Sequence, residues 1–130
     1  DEAATDSFDM LPVMLGQQEE SKSVRPHLLT QSFRGEFQIR KGPWKYLDHK
    51  GSGGNNYEVP NMQKWAIPDN APDAPGQLYN LDDDPGEINN LYFTEEVKRK
   101  ELQTLLSTLK ASGRSAPKNR KPFRKHTDTR

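Results

Sequence analysis

One stretch constrains the fold of this chain more than any other. Leu102, Leu105, Leu106 and Leu109 recur at i, i+3, i+4 and i+7, the spacing of a single apolar stripe along an α-helix. Thr94 precedes them as a candidate cap, Glu95 and Glu96 stand where the helix dipole favours negative charge, and Gly113 supplies a stop. The pattern predicts a helix over residues 94–112. A helix with one apolar face has to bury it against a second layer, so the rest of the chain must provide an apolar surface.

That surface is expected upstream, where the period changes to two. The segments HLLTQSF (27–33), EFQIR (36–40) and PWKYLD (43–48) are short, rich in aromatic or branched residues, and separated by Arg34-Gly35 and Lys41-Gly42-Pro43. Connections this tight imply an antiparallel meander. In EFQIR, Phe37 and Ile39 point one way and Glu36, Gln38 and Arg40 the other, giving a dry and a wet face. In the third segment Trp44 and Tyr46 share a side with Asp48, while Leu47 shares the other with Lys45, so the pattern leaves the buried side open there. QLYNL (77–81) reads as a fourth strand, followed by the turn DDDPGE with Pro85 setting a negative φ and Gly86 placed for a positive one. The expected fold is α+β: a small four-stranded antiparallel sheet packed on a C-terminal helix.

Composition limits how much of the chain joins that core. Of the 130 residues 31% are apolar and 29% charged, which suits an ordered unit of roughly 70 to 80 residues with polar ends. The expected organisation is an acidic segment 1–26, a core 27–112 and a basic tail 113–130. Residues 1–20 hold six acidic side chains and no Lys or Arg, and residues 113–130 hold seven Lys or Arg and one Asp. Within the first segment, DSFDMLPVMLG (6–16) reads as a short helix capped by Asp6 or Ser7, with Pro12 in the first turn and Gly16 at its end. Residues 49–76 carry Gly, Asn and Pro at a density that predicts a long loop without a regular element.

The chemistry-bearing residues are sparse. The chain has no cysteine, hence no disulfide framework, thiolate metal site or thiol nucleophile. No apolar run approaches the ~18 residues of a membrane span, and the acidic opening DEAATDSFD is unlike a secretory leader. His27, His49 and His126 form no zinc motif. Asp82, Asp83 and Asp84 lack calcium-loop spacing and read as a turn. GSGGNN is followed by Tyr57 and a proline, and so is no phosphate loop. No catalytic residue and no metal ligand is assigned.

The order of segments carries more information than any single residue. DSFDMLPVMLG, then RPHLL leading into GEFQIRKGPWKYL, a loop, QLYNLDDDPGEINNL and the leucine-striped helix together resemble the C-terminal subdomain of the arylsulfatase-like sulfatases. The most specific part is RKGPWKYL with LYNLDDDPGEINNL, similar to the family's R-x-G-x-W-K strand and its LY-N/D-L-x-x-D-P-x-E-x-x-N/D-L turn. The resemblance covers residues 6–112 and falls on residues that read as scaffold.

The resemblance implies that the chemistry lies outside this chain. Such sulfatases use a formylglycine nucleophile, made from Cys or Ser in C/S-x-P-S-R, and a calcium ion that offsets sulfate charge. Ser115-Ala116-Pro117-Lys118-Asn119 fails that motif at Lys118 and Asn119. The chain therefore reads as the trailing piece of a sulfatase, inactive alone, an expectation that its start at Asp1 suits. Its implied partners are the missing N-terminal domain of the same polypeptide and, for the parent, a sulfated carbohydrate or aryl sulfate. A nucleic acid or membrane partner is not expected, and export to the periplasm or beyond is implied.

Candidate substrate contacts are His49, Asn55, Asn56, Tyr57 and Trp65 of the long loop, suited to hydrogen bonding or stacking on a ring, with Arg34 and Arg40 as candidate sulfate-orienting groups. The rival reading is a stand-alone module that binds a polyanion or carbohydrate through the basic tail and loop 49–76.

Overall fold

A computed structural model of the chain describes residues 6–53 and 57–116. Its elements run α1 (Leu11–Met14), β1 (Leu28–Gln31), β2 (Phe37–Lys41), β3 (Trp44–Leu47), α2 (Pro60–Gln63), β4 (Gln77–Asn80) and α3 (Glu96–Ser112). The four strands form one sheet in the order β1-β2-β3-β4, with every neighbouring pair antiparallel. The expected α+β architecture is the observed one.

The register settles which side of β3 is buried against the helix. Leu29 pairs with Ile39, Ile39 with Tyr46, and Tyr46 with Leu78, so these four side chains share one face across the sheet. Ile39, Tyr46 and Leu78 join Leu102 and Leu106 of α3, together with Ala71, Ala74 and Tyr92, in the buried core. Leu29, Phe37, Trp44, Leu91, Leu105 and Leu109 pack around it. The leucine stripe thus meets the sheet face that the spacing called for. Leu47 and Tyr79 are also buried, on the opposite face of their strands, which is why alternation in β3 alone named no buried side.

Helix α3 begins two residues later than expected. Thr94 is not its cap: its Oγ1 donates to Leu91 O at 3.3 Å, and Glu95 holds the N-cap position without a side-chain capping bond. Gly113 ends the helix in the left-handed region at φ 66°, as expected. The turn after β4 differs in one respect, because the positive φ falls on Glu87 (55°) and not on Gly86. Asp84 fixes the chain there, its carboxylate accepting from Ile88 N at 3.0 Å and Asn89 N at 2.8 Å.

The first helix is a single turn, far shorter than 6–16. Asp6 is not its cap, since its carboxylate accepts instead from the backbone of Ser115 and Ala116. Asp9 Oδ1 accepts from Leu11 N at 3.0 Å, and Pro12 sits in the first turn as expected. Met10, Leu11, Met14 and Leu15 are exposed, whereas Phe8 is half-buried with the Arg25 guanidinium 5.1 Å from its ring centre. The long loop, in turn, is not wholly irregular, because Pro60 opens the one-turn helix α2.

Candidate rim of the long loop

Both ends of the loop between β3 and β4 are fastened to the sheet. Gln77 Nε2 donates to His49 O at 3.1 Å and Gly51 O at 2.8 Å, and Lys50 Nζ donates to Pro72 O at 2.7 Å. Ala71 and Ala74 are buried in the core, anchoring the return limb. Between these anchors residues 58–70 are exposed apart from half-buried Met62. A loop of this build has a fixed base and a projecting arc.

The base packs on the β1–β2 turn. Gly53, at φ 73°, is buried with a Cβ position 3.2 Å from His49 Cε1, 3.2 Å from Ser32 Cβ and 3.3 Å from Glu36 Oε2. Glycine meets two requirements there, close approach and a left-handed backbone. Ser32 Oγ donates to Glu36 Oε2 at 3.1 Å, and His49 Nδ1 lies 3.9 Å from the same oxygen. His49 Nδ1 is also 3.0 Å from Lys50 O, and since a carbonyl only accepts, Nδ1 must carry the proton. Serine, glutamate and histidine here do not make a nucleophile relay. The glutamate stands in the middle, so the hydroxyl points at a carboxylate and no imidazole is aligned to take its proton. The cluster is a fastening.

The turn presents two residues outward. Phe33 is fully exposed and Arg34 is exposed, on a turn held by Ser32 N to Glu36 O at 2.7 Å, Gly35 N to Ser32 O at 3.0 Å and Arg34 N to Ser32 Oγ at 3.2 Å. Of the candidate contacts named from sequence, His49 sits against this turn and Arg34 belongs to it. Arg40 does not join them. It lies towards the other end of β2, with its Nε donating to Gly42 O at 2.9 Å. Tyr57 is half-buried; Trp65, beyond α2, is 65% exposed with Lys64 Nζ 5.1 Å from its ring centre. Asn55 and Asn56 lie outside the described residues. Phe33, Ser32 and Glu36 were missed by sequence reasoning, although the Gly35 turn between two strands marks a hairpin tip where such residues collect.

The described residues do not fit a calcium ion. Among them no group of three or more His, Asp or Glu side chains is placed to hold a metal. In the triple acid, Asp83 Oδ2 accepts from Asn80 Nδ2 and both Asp84 oxygens are taken by the turn. Ser115 is engaged in the same way, its N–H and Oγ both donating to the Asp6 carboxylate. No helix among the described residues is long and apolar enough to cross a membrane.

No family model matches the chain. It is 30% identical over 110 residues to the N-acetylgalactosamine-6-O-sulfatase of Bacteroides thetaiotaomicron, a match covering 85% of this chain and 20% of that protein. A solved structure from work on the metabolism of multiple glycosaminoglycans by Bacteroides thetaiotaomicron is 22% identical with a TM-score of 0.49, covering 78% of this chain and 23% of that one. The chain thus spans about one fifth of the curated relative's length, and its similarity is to a C-terminal sulfatase region.

Proposed function

We propose that this chain is the supporting lobe of a sulfatase, and that its long loop and β1–β2 turn form part of the rim of a sulfated-sugar cleft completed by the remainder of the polypeptide. The observation that carries this reading is the 30% identity sustained over 110 residues with an N-acetylgalactosamine-6-O-sulfatase. The chemistry and exposure of three side chains support the rim. Trp65 and Phe33 are exposed ring faces suited to stacking on a sugar, and Arg34 is a planar cation suited to a sulfate group. The parent reaction is hydrolysis of a sulfate monoester, in which water and R–O–SO3⁻ give R–OH, sulfate and a proton.

Formylglycine and calcium belong in this reading to the remainder of the polypeptide, and no step is assigned to them here. A sulfated N-acetylgalactosamine is the first substrate to assay, with an aryl sulfate as comparison.

The test is kinetic, on the full-length enzyme. Trp65→Ala and Arg34→Ala are expected to raise KM about tenfold each on the sulfated sugar with kcat little changed, as loss of binding shared by ground and transition states. Upstream coding sequence without C/S-x-P-S-R, or unchanged KM in both variants, overturns the reading.

A further inference from the structure

A second concave surface lies where the open edge of β1 meets the end of α3. It is a groove of about 570 Å³ lined by Leu29, Thr30, Gln31, Phe37 and Leu109, with Arg25, Lys110 and Arg114 on its walls and Asp6 inside. That volume is in the range of small-molecule sites. Lys110 Nζ sits 4.6 Å from the Phe37 ring centre and also meets Asp48 Oδ2 at 2.9 Å. Of the three cations in the lining, Lys110 is thus paired with Asp48, Arg114 Nε donates to Ala116 O at 2.9 Å, and Arg25 lies against the Phe8 ring.

The Asp6 carboxylate is the informative feature. Beyond Gly113 the backbone N–H groups of Ser115 and Ala116 converge on Asp6 Oδ1, the latter at 3.4 Å, and Ser115 Oγ adds a contact at 3.2 Å. Successive backbone N–H groups in a turn make an anion cradle. The Ser115 N–H holds the Asp6 carboxyl below its ordinary value, aided by Ala116, the Ser115 hydroxyl and Arg114. His27 Nε2, 3.0 Å from Ser115 O, keeps the cradle in place from the other side.

We infer that this groove is a binding site for a sulfated saccharide, whose sulfate displaces the Asp6 carboxylate from the Ser115–Ala116 cradle while its ring lies over the apolar floor. A sulfate offers three oxygens to the two N–H groups and the Ser115 hydroxyl that the carboxylate vacates, where a carboxylate offers two. Phe37, Leu29 and Leu109 suit the apolar face of a pyranose better than they suit a bare ion. The choice of a sulfated sugar among anions rests on the sulfatase reading; the cradle and its competing carboxylate do not.

Asp6 is then an internal competitor, which makes the expected effects opposite in sign. Calorimetric titration of the 130-residue chain with a short oligosaccharide of 6-O-sulfated N-acetylgalactosamine is expected to show binding that the desulfated oligosaccharide lacks. Asp6→Ala should tighten it about fivefold and Arg25→Ala with Arg114→Ala should weaken it about tenfold or more, with the fold of each checked by circular dichroism. Removal of residues 117–130 should leave the Asp6 effect intact.

Unchanged or weaker binding in folded Asp6→Ala overturns the inference, as does loss of all binding on tail removal. Equal affinity for a DNA oligomer of matched charge does so too, since it would mark simple polyanion attraction. Binding of inorganic sulfate with the same Asp6 response but no preference for the sugar would keep the cradle and sink its assignment to a saccharide. Activity of the full-length enzyme is not part of this readout, so the two proposals fail separately.

Discussion

Lys45 and Glu87 are joined by two hydrogen bonds, from Nζ to Oε1 at 2.6 Å and to Oε2 at 2.8 Å, and Glu87 is the one non-glycine residue with positive φ among the described residues. The ion pair connects the outer face of β3 to the turn after β4. It accounts for a glutamate in a backbone conformation that a glycine would adopt more readily. Lys45→Ala is expected to cost about 1 kcal/mol in urea unfolding, since both side chains keep some solvent contact. Glu87→Gly should cost less than Lys45→Ala, because relief of the left-handed strain offsets part of the lost pair.

Asn90 is the buried polar residue of the core, and its side chain replaces a strand partner. Its Oδ1 accepts from Leu78 N at 3.0 Å and Tyr92 N at 3.1 Å, while its Nδ2 donates to Gly76 O at 3.3 Å. Asn90→Leu is expected to lose about 3 kcal/mol, because three buried backbone groups are left without partners. The check is a fall in denaturation midpoint together with faster amide exchange at Leu78 and Tyr92.

Gly76 is required by space. A Cβ placed on it would lie 2.6 Å from Leu47 O and 3.3 Å from the Tyr92 ring. Gly76→Ala is expected to push β4 from β3 and to cost about 2 kcal/mol. Gly42→Ala, where a Cβ meets nothing within 4 Å, should cost about 1 kcal/mol for its φ of 57° alone.

Glu101 ties α3 to the sheet by charge. Hydrogen bonds from Lys41 and then Lys98, at 2.7 and 2.6 Å, bring its carboxyl down from 4.5 to about 2. A carboxyl lowered on folding stabilises the native state above its unfolded value and ceases to as the pH falls through the folded one. The contribution should therefore be complete above pH 4.5 and disappear towards pH 2. Glu101→Gln is expected to flatten the stability profile in that interval, and added salt to do the same, as befits an exposed pair. Denaturant midpoints measured across the interval provide the check.

Sequence periodicity reached the elements whose cause is local. Alternation around Ile39 and the leucines at 102, 105, 106 and 109 identified both layers, because each pattern satisfies only one backbone geometry. It failed where a partner far along the chain decides the outcome. Asp6 is a sensible cap for its own segment, yet its carboxylate is taken by Ser115, 109 residues away. Gly86 is the natural positive-φ residue of its turn, yet the strain falls on Glu87, which is held by Lys45 at a separation of 42.

The candidate site was legible in the same partial way. The loop followed from its Gly, Asn and Pro content, and the Arg34-Gly35 turn from its place between two strands; the exposure of Trp65 and Arg34 is read from the structure. The fastening of His49 against Glu36 and Gly53 required the sheet to bring β1–β2 and the end of β3 together. Arg40, similar to Arg34 on paper, is separated from it by the length of β2.

The pinched base of the long loop has a consequence for how such a lobe can diversify. Because Gln77, Lys50, Ala71 and Ala74 already hold the two limbs together, inserting residues between 58 and 70 lengthens an arc whose ends stay closed. Each doubling of its length costs only about 0.6 kcal/mol in chain entropy. The mount and the cassette are thermodynamically separate, so new recognition surfaces can be grafted at this position without retuning the core beneath.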